Sequence, residues 1–317
     1  MDPGNPPTLA VVAAVLKDAQ GRVLVNQRPA GKPWAGYWEF PGGKIEAGET
    51  PRVALERELH EELGLTVHAA QAWLQLSHDY PERRVELEVW RVRHYSGAAQ
   101  AHEGQAFAWV RPEALGGLNL LPADAPIVKA LRLPPQMLVT PAPGADREKF
   151  LRQLGNTLQH GVEFVQLRAP ALAAAHADLA RAVISLCREY GARVVLNADP
   201  ELARELHADG VHLNGARLAQ TKHRPIPREF LSGASCHDAA QVQHAQDLGL
   251  DYVILGPVLP TPSHPRAKPL GWEGFKSITA LSQLPVYAIG GMRAEALVKA
   301  RELGGYGVAG ISGFWLG

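Results

Sequence analysis

Nine positions within 43–65, GKIEAGETPRVALERELHEELGL, carry residue types that chemistry on phosphate needs. Gly43, Glu49, Arg57, Glu58, Leu59, Glu61, Glu62, Gly64 and Leu65 follow the spacing G-x5-E-x7-R-E-U-x-E-E-x-G-U, with U apolar. At about 100° per residue, Glu58, Glu61 and Glu62 fall within one arc of a helix, beside a stripe of Leu55, Leu59 and Leu63. Carboxylates crowded in this way repel one another unless a hard cation lies among them. An all-oxygen ligand set suits Mg2+ or Mn2+ rather than zinc, so the expected partner is a metal–phosphate complex. Arg57, four residues before Glu61, is placed to bridge back to Glu49 and orient the acids. A solvated acidic face accounts for a lone E-L-x-E-E run, but not for the glycines, Arg57 and Glu49 at fixed spacing.

The elements that position these groups are written nearby. Thr50 predicts an N-cap, Pro51 the first helical position and Gly64 the helix end. Strand-like runs at 9–16 and 22–27 lead into this helix, and runs at 72–76, 84–93 and 106–110 follow it. A short helix at 123–131 precedes LRLPPQ at 131–136, where two prolines end the helical pattern. Beyond that break, short apolar strands alternate with helices: 137–140, 162–167, 193–197, 210–213, 231–235, 252–255, 286–289 and 307–312. Eight strands with intervening helices in roughly 180 residues predict a compact (β/α)8 barrel, whose site belongs at the C-terminal strand ends. The reading is therefore α/β throughout, with one domain over 1–133 and a TIM barrel over 134–317.

Composition narrows the function classes. The 317 residues are 46% hydrophobic, enough for two folded units. The 32 basic and 32 acidic residues cancel without any block of like charge. A polymeric nucleic acid is disfavoured as a partner, because such binding is driven by phosphate neutralisation. Two cysteines, Cys187 and Cys236, indicate neither a disulfide framework nor a zinc site. The apolar run 9–16 is too short for a signal or membrane span and reads as a strand, so the expected location is the cytoplasm, with no membrane partner. Oligomeric state is not legible.

The spacing in 43–65 is that of the Nudix box, and residues 8–131 resemble the MutT branch of the Nudix hydrolases, the 8-oxo-dGTP diphosphatases. The segment Trp38-Glu39-Phe40-Pro41-Gly42-Gly43-Lys44-Ile45-Glu46 is close to that branch, as is Glu103-Gly104-Gln105. The resemblance implies an α/β/α sandwich with a mixed sheet and a metal site of Gly42, through its carbonyl, with Glu58, Glu61, Glu62 and Glu103. It also implies that Arg28 contacts the nucleotide, that Phe40 packs on the purine, and that Glu39, Pro41 and Asp124 line the substrate. Arg57 and Glu49 belong to the catalytic set, with Glu58 or Glu103 taking the water's proton. The product would be the nucleoside monophosphate plus pyrophosphate, a reaction that sanitises the nucleotide pool in support of DNA repair. Asp124 departs from the branch's base-reading asparagine, since Asp donates a hydrogen bond only when protonated.

The second half resembles thiamine phosphate synthase and the thiazole tautomerase TenI, through Gln166-Leu167-Arg168, Asn197, Asp209-Gly210-Val211-His212-Leu213, Ser235-Cys236-His237, Gly256-Pro257-Val258, Ala288-Ile289-Gly290-Gly291-Met292 and Gly307-Val308-Ala309. The resemblance implies a small phosphate ligand held by Gly290, Gly291 and Ser312, with glycine amides after strand 7 and helix-entry amides after strand 8. It also places Gln166, Arg168 and Asn197 at the ligand and a proton-transferring histidine at His237. The synthase pattern, however, has metal-binding aspartates where Ala198 and Arg217 stand, and lysines near Pro170 and His264. Without them, nothing holds a leaving pyrophosphate, and synthase activity is not expected. Three readings follow: an 8-oxo-dGTP diphosphatase carrying a TenI-like barrel; a thiamine-related pyrophosphate hydrolase joined to a thiazole tautomerase; or a hydrolase whose barrel is a non-catalytic ligand sensor.

Overall fold

The computed structural model describes residues 7–168, 177–262, 265 and 267–316. The chain divides into two units, Met1–Arg132 and Leu133–Gly317.

The first unit contains β1 (Thr8–Leu16), β2 (Val23–Gln27), β3 (Trp38–Glu39), β4 (Thr66–Tyr80), β5 (Arg83–Ser96) and β6 (Phe107–Val110), with helices α1 (Pro51–Leu63) and α2 (Ala125–Leu131). Its strands form two three-stranded sheets rather than one. The mixed sheet is β1-β5-β4, parallel between β1 and β5 and antiparallel between β5 and β4, and the other is the antiparallel β3-β2-β6. The segment after β3 lies along β1, where Ala14 N–H donates to Pro41 O, Val12 N–H to Gly43 O and Ile45 N–H to Ala10 O. Gly42 and Gly43 are thereby fixed against a buried strand.

Helix α1 starts and stops where its cap residues dictate. The Thr50 hydroxyl accepts from Val53 N–H at 3.3 Å, Pro51 opens the first turn, and Gly64 closes the helix at φ 67°, donating to His60 O and Leu59 O. Ala54, Leu55, Leu59 and Leu63 are buried against Val12, Ala14, Leu16, Val67 and Val92. Each fully buried leucine contributes about 1.5–3 kcal/mol. That anchoring sets the helix rotation and so aims its acidic face. Strand β4 runs well beyond the 72–76 core of its apolar pattern, because an exposed polar face obscures the alternation.

The second unit is a closed barrel of eight parallel strands: β7 (Gln136–Val139), β8 (Phe164–Leu167), β9 (Arg193–Leu196), β10 (Gly210–Leu213), β11 (Leu231–Cys236), β12 (Tyr252–Leu255), β13 (Val286–Ala288) and β14 (Gly307–Gly310). Seven helices among the described residues alternate with them: α3 (Arg147–Gln159), α4 (Ala177–Glu189), α5 (Pro200–Glu205), α6 (Gly215–Gln220), α7 (Ala239–Asp247), α8 (Gly271–Thr279) and α9 (Ala296–Glu302). The expected helix after β14 is replaced by turns, with Phe314 N–H and Trp315 N–H both donating to Ile311 O. Gly310 and Gly313 allow this fold-back, since a Cβ would meet the Phe314 ring at 2.6 Å and Met292 O at 2.2 Å respectively.

Successive strand residues alternate between two environments, as the pleat requires. Leu138, Val165, Leu167, Val194 and Leu196 join the layer under the helices with Phe150, Leu154, Val183 and Ile184. The barrel interior is filled by Phe164, Tyr252, Tyr287 and Tyr306 in successive ring contacts of 5.6, 5.7 and 5.3 Å. Gly233 makes room, because a Cβ there would lie 2.1 Å from the Tyr252 ring. The Tyr287 and Tyr306 hydroxyls donate to Pro134 O and Leu133 O, which closes the N-terminal end with satisfied polar groups. Any cavity must therefore open at the C-terminal ends of the strands. No helix among the described residues is long and apolar enough to cross a membrane.

Candidate active site

The acids of α1 do not share one environment. Glu58 lies against Gly43, where a Cβ would come within 2.3 Å of its carboxyl carbon. Glu62, one turn later on the same row, points inward and accepts from Asn26 Nδ2 at 3.3 Å and Gly42 N–H at 3.4 Å. Glu61 is turned to solvent, its side chain 56% exposed, and meets Arg57 at 3.3 Å. Burial first, and then the charge of Glu58, push Glu62 up to about 8. Burial likewise raises Glu58 despite its bond to Arg57.

Arg57 organises this face. Its guanidinium donates to both oxygens of Glu49 at 2.8 Å, to Glu58 at 2.9 Å and to the Lys44 carbonyl at 3.0 Å. The forked pair with Arg57 holds the Glu49 carboxyl down at about 2. Glu103 stands on the loop before β6, where Glu103 N–H donates to Gln105 Oε1 and Gln105 Nε2 donates to the Glu62 carbonyl at 3.0 Å. Gln105 thus ties this loop to α1. The Glu103 carboxylate is paired with Lys32 at 2.8 Å.

No three His, Cys, Asp or Glu side chains among the described residues converge as a ready metal cage. In this arrangement Arg57 holds Glu58 and Lys32 holds Glu103. The donor set nevertheless fits a hard divalent cation. Glu62 is raised first by burial and then by the charges of Glu58, Glu39 and Glu103. Asn26 beside Glu62 leaves Oδ1 buried without a partner. Pro41 and Gly43 carbonyls are taken by β1, whereas the Gly42 carbonyl between them accepts no backbone bond among the described residues. Gly42 reaches this position at φ 145°, where a Cβ would collide with Val12 O at 2.2 Å.

The neighbouring substrate-side residues form a second cluster. Arg28 is paired with Glu39, whose carboxyl is raised by burial against the pull of Arg28. Phe40 is only 3% exposed, so its ring belongs to the core and offers no open face to a purine; its N–H donates to Asp124 Oδ2 at 3.2 Å. Asp124, in the 3-10 turn Pro122–Asp124, is 4% exposed. Burial and then the charge of Glu39 push its carboxyl up to about 8. Burial therefore favours the protonated form, which both donates and accepts, the capability of an asparagine.

In the barrel, a cavity of about 380 Å³ opens at the C-terminal strand ends. Gln166, Arg168, Asn197, Arg217, His237, Gly290, Gly291 and Ser312 all line it. None of its described lining residues is acidic. Ala198 is fully buried, and Arg217 stands in the first turn of α6, its N–H capped by Asn214. A divalent cation does not fit this donor set. Gln166 is buried with Oε1 unpartnered, a position that calls for a ligand donor. His237 Nδ1 is hydrogen-bonded to the Gly256 carbonyl, which can only accept, so Nδ1 carries the proton and Nε2 is the free acceptor in the neutral ring. Ser235 also lines the cavity and is held by His212, itself bonded to the Tyr252 hydroxyl and lowered to about 3 by burial. The positions near Pro170 and His264 lie outside the described residues.

Sequence reasoning missed Asn26, Lys32, Gln105, Tyr80 and Ser235 as contributors to these sites. Their partners are 23–71 positions away in the chain, or lie across strands, and only Gln105 and Ser235 stood inside a quoted motif.

Residues 12–130 match the NUDIX domain, and residues 136–314 match the thiamine monophosphate synthase family. The chain therefore belongs to both families, a Nudix hydrolase domain joined to a thiamine monophosphate synthase barrel. The CTP pyrophosphohydrolase of Escherichia coli (strain K12) is 41% identical over 122 residues, 38% of this chain and 90% of that protein. The 8-oxo-dGTP diphosphatase of the same organism is 32% identical over 124 residues, 39% of this chain and 96% of that protein. The thiamine-phosphate synthase of Latilactobacillus sakei subsp. sakei (strain 23K) is 36% identical over 183 residues, 55% of this chain and 82% of that protein. The N-terminal unit is thus an enzyme, a nucleotide pyrophosphohydrolase of the Nudix class.

Proposed function

We propose that the N-terminal unit hydrolyses 8-oxo-dGTP to 8-oxo-dGMP and pyrophosphate. The observation that carries this reading is the packing of Glu58 on Gly43 and the bond of Glu62 to the Gly42 N–H, with Asp124 on the Phe40 N–H and the Arg28–Glu39 pair in the adjoining segment. Glu58, Glu62, Glu103 and the Gly42 carbonyl would hold Mg2+ or Mn2+, which when bound supplies neutralisation of phosphate charge and a more acidic water. Arg57 keeps Glu58 against Gly43, oriented to accept a proton from the attacking water, while Glu103 sits on an exposed loop paired with Lys32. Glu61 supports the negative field from the solvent side. Asp124 reads the base edge, donating with its own proton and accepting with its other oxygen. The charged form of Glu62 would be stabilised by a bound cation against the burial that raises it.

A second substrate reading has its own support. The higher identity to a CTP pyrophosphohydrolase favours a cytidine nucleotide. A panel of 8-oxo-dGTP, dGTP, CTP, dCTP and thiamine diphosphate, assayed with magnesium for released phosphate species, separates these. Highest kcat/KM on 8-oxo-dGTP, with Asp124→Ala lowering its preference over dGTP, supports the first reading; highest kcat/KM on CTP replaces it with the second.

For the barrel, the proposed ligand is a small phosphate ester bound without a metal. The acid-free cavity with Arg168 and Arg217 supports this, and Gly290, Gly291 and Ser312 supply the phosphate end. His237 Nε2 would move a proton on a thiazole phosphate. Proton exchange into that ligand, lost in His237→Ala, is the check; binding without exchange makes the barrel a sensor.

A further inference from the structure

The segment between β2 and β3 is a closed loop built around Arg28. Arg28 N–H donates to Tyr37 O, Gly36 N–H returns to Arg28 O, both at 2.9 Å, and Arg28 Nε donates to Pro33 O at 2.8 Å. At its tip Trp34 adopts φ 62°, a left-handed conformation that a bulky side chain rarely takes. The residue is also 41% exposed. Strained backbone and open aromatic surface are each unfavourable in the free protein, and their coincidence at one residue points to a ligand that uses the ring.

The surroundings say which ligand. The indole stands edge-on to Tyr37 at 5.0 Å and tilted over Tyr80 at 5.6 Å. The Tyr80 hydroxyl oxygen accepts from Ala123 N–H, next to Asp124, and the phenol feels the charges of Asp124, Arg28 and Glu39. An open aromatic face thus adjoins a set of groups suited to the polar edge of a planar heterocycle. Phe40 cannot provide that face, being buried. The other arm of the same loop places Lys32 on Glu103, within the acidic cluster. One loop therefore touches both the base-reading groups and the phosphate-side acids.

We infer that Trp34 is the stacking platform for the nucleobase and a determinant of nucleotide specificity, with Tyr37 and Tyr80 fixing its plane. This rests on the hydrolase reading for the identity of the ligand as a nucleotide. The test compares, on the full chain, kcat/KM for the preferred nucleoside triphosphate with that for the base-free ribose 5-triphosphate. In Trp34→Gly, which removes the ring and accepts the backbone, the preference for the nucleotide falls about tenfold or more, because a base–aromatic stack is lost. Trp34→Phe and Trp34→Tyr keep a ring and restore most of the preference, with the change in KM rather than kcat. Equal losses on both substrates, or no loss on either, overturn the inference. Quenching of indole fluorescence provides an arm independent of turnover: nucleoside monophosphate quenches the wild type more than Trp34→Phe, and ribose 5-phosphate quenches neither. Absence of that difference contradicts stacking even if neither triphosphate is hydrolysed, whereas failure of hydrolysis alone overturns the hydrolase reading.

Discussion

Asp124 shows how environment remakes a residue's chemistry. Its carboxyl stands at about 8 in the folded protein against an ordinary 3.8, so the folded state holds a proton that the unfolded chain releases. Between those values stability falls as pH rises, by up to about 1.4 kcal/mol per pH unit. Asp124→Asn removes that dependence: relative to wild type the metal-free variant gains stability from pH 5 to pH 8, measured by urea unfolding with amide exchange in α1 as the probe. A wild type and variant with parallel pH curves would show that Asp124 is ionised in the fold. The acids of α1 differ in the same residue-by-residue way. Glu58→Gln is expected to lower kcat by about 10²–10⁴-fold, as loss of a proton acceptor does. Glu61→Gln, changing an exposed charge, is expected to lower it about fivefold or less. Steady-state kinetics on the two variants checks the ranking. The positions of these acids were legible in the sequence because a helix converts spacing into angle. Which of them is buried was not, because burial of Glu62 depends on Asn26 from β2 and Gly42 from the segment along β1.

At the scale of elements, α1 could be read almost to the residue, since Thr50, Pro51 and Gly64 are local signals that need no tertiary partner. The barrel strands were legible for a related reason: short apolar runs flanked by glycine and proline leave few alternatives. What escaped depends on packing. Strand β3 is two residues long, bonded to β2, and has no periodicity to detect. The helix expected after β14 loses to a fold-back that packs Trp315 on Phe150 at 5.2 Å. The contact of α1 with the glycine segment gives a direct test of positioning. Gly43→Ala would place a methyl within 2.3 Å of the Glu58 carboxyl carbon, displacing it. A displacement on the order of 1 Å lowers kcat about a hundredfold while the far-ultraviolet circular dichroism stays that of the wild type. Wild-type turnover in Gly43→Ala would mean that Glu58 does not act from its observed place.

On the proposed reading, the whole molecule has two kinds of phosphate site. One gathers carboxylates and would depend on a divalent cation; the other is a cavity with two guanidinium groups and no acid among its described lining residues. Opposite responses to chelation follow. In EDTA the full chain should still bind a thiazole phosphate in the barrel by isothermal titration calorimetry, and Arg217→Glu should weaken this about tenfold or more by reversing one charge. Magnesium-dependent coupling of a pyrimidine pyrophosphate to a thiazole phosphate would instead show that Ala198 and Arg217 do not abolish metal-assisted chemistry there. Hydrolysis in the Nudix unit must behave in the reverse sense, and its products provide the most direct test of the central claim. Product analysis of 8-oxo-dGTP turnover by phosphorus NMR, with and without magnesium, in wild type and Glu62→Gln, should give equal amounts of monophosphate and pyrophosphate that require the metal and fall by orders of magnitude in the variant. Release of inorganic phosphate as the first product, or near-normal turnover in Glu62→Gln, would contradict it.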